Sequence, residues 1–468
     1  MAVSSRSRST ARPRRWPRIL AWVAPIFLVF LVIASFVAKA AIDSYLHSDR
    51  FRTFVSRKAG GTLHADADLL PLNFTGMEVY TDGFTAKGGP DAAFASMQLD
   101  QLRAELSLKK FLDKAWVVEQ VDVARLKVNL DGPRADRPLE HTSDPLSAPK
   151  TESNSENTGW LPNRVEVNRV LVHDTQLLWA GGGLKNTAFE LLPYEGGWQI
   201  SGQGGRLEYG KLPALDVSSL KLGYRAPSLF VKGAELRQPG GGSVQATGEI
   251  NFEREVDLTL NLLNVDTAPY LSEDWRMRAK GNISGEVTVR SPLPVNNAGP
   301  LLKGSLKITN GELTALPVLD GIAKYTHTDQ FRRLNLTNAS GTFEQQGERL
   351  SVTKFMAESE GLICMKGDFT ITGGMIDGYF QVGVTPGSLQ WLPGAQAKVF
   401  TASHDGYLWS PLHLTGPVDH PKDDLTDRLV AAAQDAVIDG VKKQATDVIN
   451  SGKDVTKGIL DFVLPGSK

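Results

Sequence analysis

The chain has 468 residues, 41% hydrophobic and 22% charged, with a formal net charge of -1. Arg6, Arg8, Arg12, Arg14, Arg15 and Arg18 all precede residue 19, so the rest of the chain stands near -7 (-1 - 6), which speaks against nucleic acid as a partner. A single cysteine, Cys364, excludes an intramolecular disulfide, and 45 glycines with few helix-forming runs point to many short strands and tight turns.

Residues 1–18 form a basic tail. Ile19 to Ala38 carries no charged side chain. At about 1.5 Å per residue it spans roughly 30 Å as a helix, the thickness of a bilayer's hydrocarbon core. Pro25 is compatible with such a helix. The arginines before it predict a cytoplasmic N-terminus and a bulk that lies outside. A cleaved signal peptide is the competing reading, since Ala38-Lys39-Ala40 resembles a cleavage site. The apolar run exceeds the usual signal core of about 7–15 residues, which favours an uncleaved anchor.

Residues 40–58 show helical spacing in Ile42, Tyr45, Leu46, Phe51, Phe54 and Val55, with Gly60-Gly61 predicted to end the helix. From Thr62 to Leu130 the period becomes two, as in a sheet with one wet face. His64, Asp66 and Asp68 loosely suggest a metal, but alternation makes them a solvated face. Leu106 to Lys114 is predicted as a helical turn or loop. Asp131 to Asn163 is polar and proline-rich, and is read as a disordered loop. Arg164 to Arg290 returns to strands, with Gly196-Gly197, Gly204-Gly205 and Gly240 to Gly242 as hairpin turns. Gly202-Gln203-Gly204-Gly205 lacks the third glycine and the following helix of a phosphate loop. Ser291 to Pro300 suggests a unit boundary. Ser305 to Leu313 is expected as strand, Asn310-Gly311 turn, strand. Pro421 to Leu464 carries an apolar stripe near a 3.6 period, beginning with Leu425 and Leu429. Its nearly balanced charges favour docking on the sheet or on a partner over an anionic membrane surface.

The fold class expected is mainly β: an N-terminal transmembrane helix, then an elongated, curved antiparallel β-sheet that is groove-like, then a C-terminal amphipathic helix. The predicted organisation is 1–18 tail, 19–38 membrane helix, 39–130 first β unit with its leading helix, and 131–163 loop. It continues with 164–290 second β unit, 299–420 third β unit and 421–464 helix. The motifs of metalloproteases, P-loop enzymes, α/β-hydrolases and dithiol oxidoreductases are absent from the sequence. The eight histidines are scattered, without an i,i+4 pair. No catalytic, cofactor-binding or metal residue is therefore predicted, and no enzyme. Cys364, in Leu362-Ile363-Cys364-Met365, reads as a small buried hydrophobe.

The run Gly304-Ser305-Leu306-Lys307-Ile308-Thr309-Asn310-Gly311-Glu312-Leu313, followed by Leu316-Pro317-Val318-Leu319, resembles the C-terminal region of AsmA-like proteins. So do Gly367-Asp368-Phe369-Thr370-Ile371, Tyr379-Phe380-Gln381-Val382 and the closing Leu414-Thr415-Gly416-Pro417-Val418-Asp419-His420-Pro421. The resemblance is most specific over residues 300–420. It implies a bacterial envelope protein in the inner membrane, N-terminus cytoplasmic and bulk periplasmic. It further implies a groove whose apolar floor takes membrane phospholipid, and a part in outer-membrane lipid homeostasis. Alternating strands permit such a floor, at roughly 0.8 kcal/mol per buried methylene, but equally suit a two-layer core. Leu306 and Val382 are apolar strand positions at which a charge would test the groove. The second reading is a non-catalytic envelope scaffold or assembly factor that binds a protein partner through sheet edges and the C-terminal helix. The third is an envelope hydrolase. No cofactor is expected.

Overall fold

The structure, a computed structural model, describes residues 49–107, 115–135, 164–293, 299–314, 320, 323, 329–389, 393–432 and 434–435. The basic tail, the predicted span Ile19–Ala38, most of the 131–163 segment and residues 436–464 of the predicted C-terminal helix lie outside these. Among the described residues no helix is long and apolar enough to cross a membrane. The described chain is mainly β and falls into two compact units, residues 1–180 and 181–468.

The first unit opens with helix α1 (Asp49–Leu63), then β1 (Ala65–Leu69), β2 (Leu72–Thr75), β3 (Glu78–Gly88), β4 (Ser96–Ser107) and β5 (Ala115–Asn129). β6 (Arg164–Val167) and β7 (Val170–Trp179) complete it. β1 to β5 pair antiparallel, with β1 and β2 sharing one edge of β3. Val55, Ala59 and Leu63 of α1 pack on a core of Ala65, Leu69, Phe84, Ala86, Phe94 and Val128. The leading helix thus covers the apolar face of this sheet.

Two expectations are corrected here. Gly60-Gly61 does not end the helix, which continues to Leu63. A side chain at Gly60 would begin 2.6 Å from the Ala65 carbonyl oxygen, so the glycine serves the close approach of β1 to the helix. The sheet is also not wholly antiparallel: β6 and β7 run parallel to β5. A parallel neighbour needs a long crossover, and the polar segment after Leu130 is that connection.

The second unit contains β8 (Gly182–Tyr194), β9 (Gly197–Gln203), β10 (Arg206–Tyr209), β11 (Leu215–Arg225), β12 (Ser228–Arg237), β13 (Ser243–Asn251) and β14 (Glu255–Asp266). After the short helix α2 (Glu273–Arg278) come β15 (Ala279–Pro292), β16 (Leu301–Thr314), β17 (Arg333–Leu336), β18 (Asn338–Gln346) and β19 (Arg349–Ser359). β20 (Ile363–Thr372), β21 (Met375–Val384), helix α3 (Pro393–Lys398), β22 (Ala402–His404), β23 (Tyr407–Pro417) and β24 (Lys422–Asp423) follow. Residues 425–432 are helical.

From β8 to β21 each strand pairs antiparallel with the next in sequence order; β21 then pairs with β23, whose other edge takes β22. Two rungs are shared: β9 with β10 between β8 and β11, and β17 with β18 beside β16. β15 and β16 pair across the proline-containing stretch 291–300, so the strands on either side share one sheet. Glu195 and Gly196 both have positive φ, as a two-residue hairpin turn with right-handed strand twist requires.

Gly204-Gly205 is not a hairpin turn. It interrupts the rung made by β9 and β10, where a side chain at Gly205 would run into the Lys185 carbonyl oxygen. Asn310-Gly311 is not a turn either, because β16 runs unbroken from Leu301 to Thr314. Asn310 (φ 52°) lies in a bulge where the register against β15 shifts between Lys280 and Asn282. The strand continues because Leu313 pairs with Ala279 on one side and Leu334 on the other.

Candidate functional site

Antiparallel register carries an apolar face straight across the second unit. Phe189 of β8 pairs with Gly202, Gly202 with Leu220, Leu220 with Ala234, and Ala234 with Ala246. Ala246 pairs with Leu260, Leu260 with Val287, and Val287 with Gly304. Gly304 pairs with Phe343, Phe343 with Val352, Val352 with Phe369, Phe369 with Gly378, and Gly378 with Leu414 of β23. No position in this row is polar. At about 4.8 Å per step the row is roughly 58 Å long, measured along the sheet.

One residue further along the strands the character inverts. Thr247, Thr259, Thr288 and Lys303 stand in register, followed by Glu344, Ser351, Thr370, Asp377 and Thr415. No position there is apolar, as the two-residue side-chain period demands. Lys303 and Glu344 neutralise each other at 3.0 Å, as do Arg290 and Asp257 at 3.1 Å. This face is polar, with Thr247, Lys303, Glu344 and Asp377 exposed and Thr259, Thr288, Ser351 and Thr370 half-buried.

The apolar face is not sealed along its length. No residue of β8 to β16 is a buried member of a core cluster. Leu258, Leu260, Val289, Leu302, Leu306 and Phe343 are half-buried, whereas Ala246 and Val287 of the row are buried, at 9% and 7% exposure. At the C-terminal end the same face is closed. Phe380, Val382, Val384 and Leu412 there are at most 5% exposed. They pack against Leu389, Phe400, Leu425 and Leu429, which come from the loop after β21 and from the helical residues 425–432. Leu306 and Val382, equivalent in the sequence, therefore differ: Leu306 lies on the open part and Val382, 1% exposed, in the core.

Rings lie over glycines along this face. A side chain at Gly202 would begin 2.6 Å from Cε1 of Phe189, and one at Gly304 would begin 3.0 Å from Cε1 of Phe343. Phe369 and Phe380 occupy the space above Gly378. The glycines let the rings lie down on the sheet, which lowers the relief of the floor. Phe355, Phe369 and Phe380 then meet with centroids 5.7 to 6.0 Å apart, where the open face gives way to the closed core.

One cluster of titratable and nucleophilic groups lies in a packed corner. Cys364, Tyr407 and Trp409 form a small core with Met356. Trp409 donates from Nε1 to the His404 carbonyl and stacks on the His404 ring at 4.8 Å. Tyr407 donates to Glu358 at 3.1 Å, and burial and that bond push its phenol up to about 12. Burial also pushes the Cys364 thiol up, which makes it a poor nucleophile, as its reading as a buried hydrophobe implies. Asp66 and Asp68 are exposed on β1 opposite Lys87 and Thr85, a solvated face as expected.

The sequence named no site residues. Its signal was present as alternate apolar positions in nearly every strand, but their union into one face depends on register. Together these features define a class: an antiparallel β protein with one polar face and one apolar face only partly covered by its own chain. Compared with family models, with curated proteins and with solved structures, the chain matches none.

Proposed function

We propose that this chain is an envelope protein, anchored in the bacterial inner membrane through residues 19–38, that holds or moves phospholipid on the apolar face of its second unit. The observation that carries the reading is the unbroken apolar row from Phe189 to Leu414, only partly covered over β11 to β18. A face of this kind left against water forgoes about 25 cal/mol per Å2 of apolar surface, which an acyl chain lying on it would recover. The resemblance of residues 300–420 to AsmA-like proteins points the same way. The scaffold reading relies on the C-terminal helix and on sheet edges. The described start of that helix places Leu425 and Leu429 inside the chain's own core, which weighs against it.

The test is native mass spectrometry of the full-length chain purified from membranes, with lipid extraction alongside. Phospholipid retained in defined stoichiometry, and lost in Leu306→Asp while circular dichroism stays unchanged, supports the reading. Retention no greater than that of an unrelated single-span protein overturns it.

A further inference from the structure

The C-terminal end of the apolar face is built differently from its middle. β15 and β23 are separated by β16, β18, β19, β20 and β21. In a flat sheet six such steps would hold them about 29 Å apart. Yet Arg278, immediately before β15, donates from Nη1 to the carbonyl of Asp419, just after β23, at 3.3 Å. Leu313 and Leu336 of β16 and β17 pack on the same core cluster as Leu412 and Leu414 of β23. A twist of roughly 20–25° per strand rotates β23 by about 120–150° against β15, and the sheet must also bend across its strands to bring these far members together. The sheet therefore curls with its apolar face inward at this end, and the chain's own Leu389, Phe400, Leu425 and Leu429 fill the space.

The outer edge of β23 is shut as well. β22 pairs with its first residues and β24 with Leu414 and Thr415. Between them Pro411 has no N–H, the His413 N–H donates to Asp424 at 2.8 Å, and Arg428 donates to the hydroxyl of Ser410 and the carbonyl of Pro411. No backbone donor is left there for an added strand.

We infer that the C-terminal third of the second unit is the closed end of the lipid-binding face, clasped by Arg278 and Asp419, so that bound acyl chains lie over β11 to β18 and stop short of β21 and β23. This rests on the proposed lipid function. It deepens that function by assigning one blind end: cargo enters and leaves over the open part, and no partner strand extends the face past β23. The acyl chain of one bilayer leaflet reaches about 15 Å, half the hydrocarbon core, whereas β11 to β18 offers roughly 29 Å.

The experiment uses the full-length chain with phosphatidylethanolamine–phosphatidylglycerol vesicles that contain a phospholipid with a photoactivatable acyl chain. Adducts are mapped by peptide mass spectrometry, and amide hydrogen exchange is measured on the same samples without lipid. Adducts confined to peptides of β11 to β18, and spreading into β19 to β21 in Arg278→Ala, are expected. Exchange in 418–420 and β23 should rise about two- to fivefold in that variant, the size of one exposed charge-assisted hydrogen bond. Equal labelling of β21 and β23 in the unaltered chain overturns the closed end while sparing the lipid function. Absence of adducts anywhere overturns the lipid function. Unchanged exchange in Arg278→Ala overturns the clasp, whatever the lipid result.

Discussion

Phe189 lies flat against Gly202, its partner on the adjacent strand, with ring carbon Cε1 only 2.6 Å from where a Gly202 side chain would start. The contact is made entirely by side chains, with Leu220 Cβ the next neighbour at 3.2 Å. Gly202→Ala would push the ring off the sheet. Overpacking costs about 1–3 kcal/mol, and relief of glycine's backbone entropy returns about 0.5–1 kcal/mol. A net loss of roughly 1 kcal/mol is expected, read as a lower urea midpoint with an unchanged slope. A midpoint that rises would mean the ring has room to move.

Leu306→Asp and Leu412→Asp should separate the open from the closed part of one face. Leu412 is 1% exposed, so an aspartate there buries a carboxylate without a partner, and the unit should fail to fold or lose several kcal/mol. The same change at half-buried Leu306 keeps access to water and should cost no more than about 1–2 kcal/mol. Thermal melts of both variants check this; equal losses would contradict the open face.

Leu429→Ala removes one of the side chains that fill the closed end. It is 1% exposed and packs in the cluster containing Phe380 and Val382. A buried leucine truncated to alanine costs about 2–5 kcal/mol. Denaturant unfolding should show that loss, and a change below about 1 kcal/mol would place the helix outside the core.

Arg428→Ala should reveal the guarded edge. Its guanidinium covers the Ser410–Pro411 stretch of β23 and also meets Asp424. The side chain is partly exposed, so the stability change should stay below about 1 kcal/mol. The expected gain is self-association through β23, measured as a concentration-dependent rise in mass by light scattering. A mass that stays constant would show that Pro411, β22 and β24 suffice.

Tyr407 gives an alkaline signature. In the fold its phenol is pushed up to about 12, first by burial and then by Glu358. Unfolded, it titrates near 10. The folded state holds the proton more tightly, so this contribution is whole below about pH 10 and is lost as pH rises through about 12. The stability of the unaltered chain should therefore fall more steeply over that window than that of Tyr407→Phe. Parallel pH profiles of the two would refute the shift.

Much of the sheet was legible in the sequence because the side-chain period of a strand is local. Gly341 to Glu344, Met365 to Ile371 and Tyr379 to Val384 are strands where alternation placed them. Asn310-Gly311 misled because the same dipeptide serves a hairpin turn and a bulge. Which one forms depends on the partners of Leu313, and those are distant in sequence. Gly60-Gly61 misled because the contact with Ala65 outweighs the helix cost of glycine. By itself, then, the sequence determined which residues of each strand are apolar, and hence that the sheet has a dry face and a wet one. Only the tertiary structure decided where that face is covered. Leu306 and Val382 look alike in the chain, but twist and bending accumulate over many strand pairings and close one end of the sheet onto Leu425 and Leu429 while leaving the middle only partly covered.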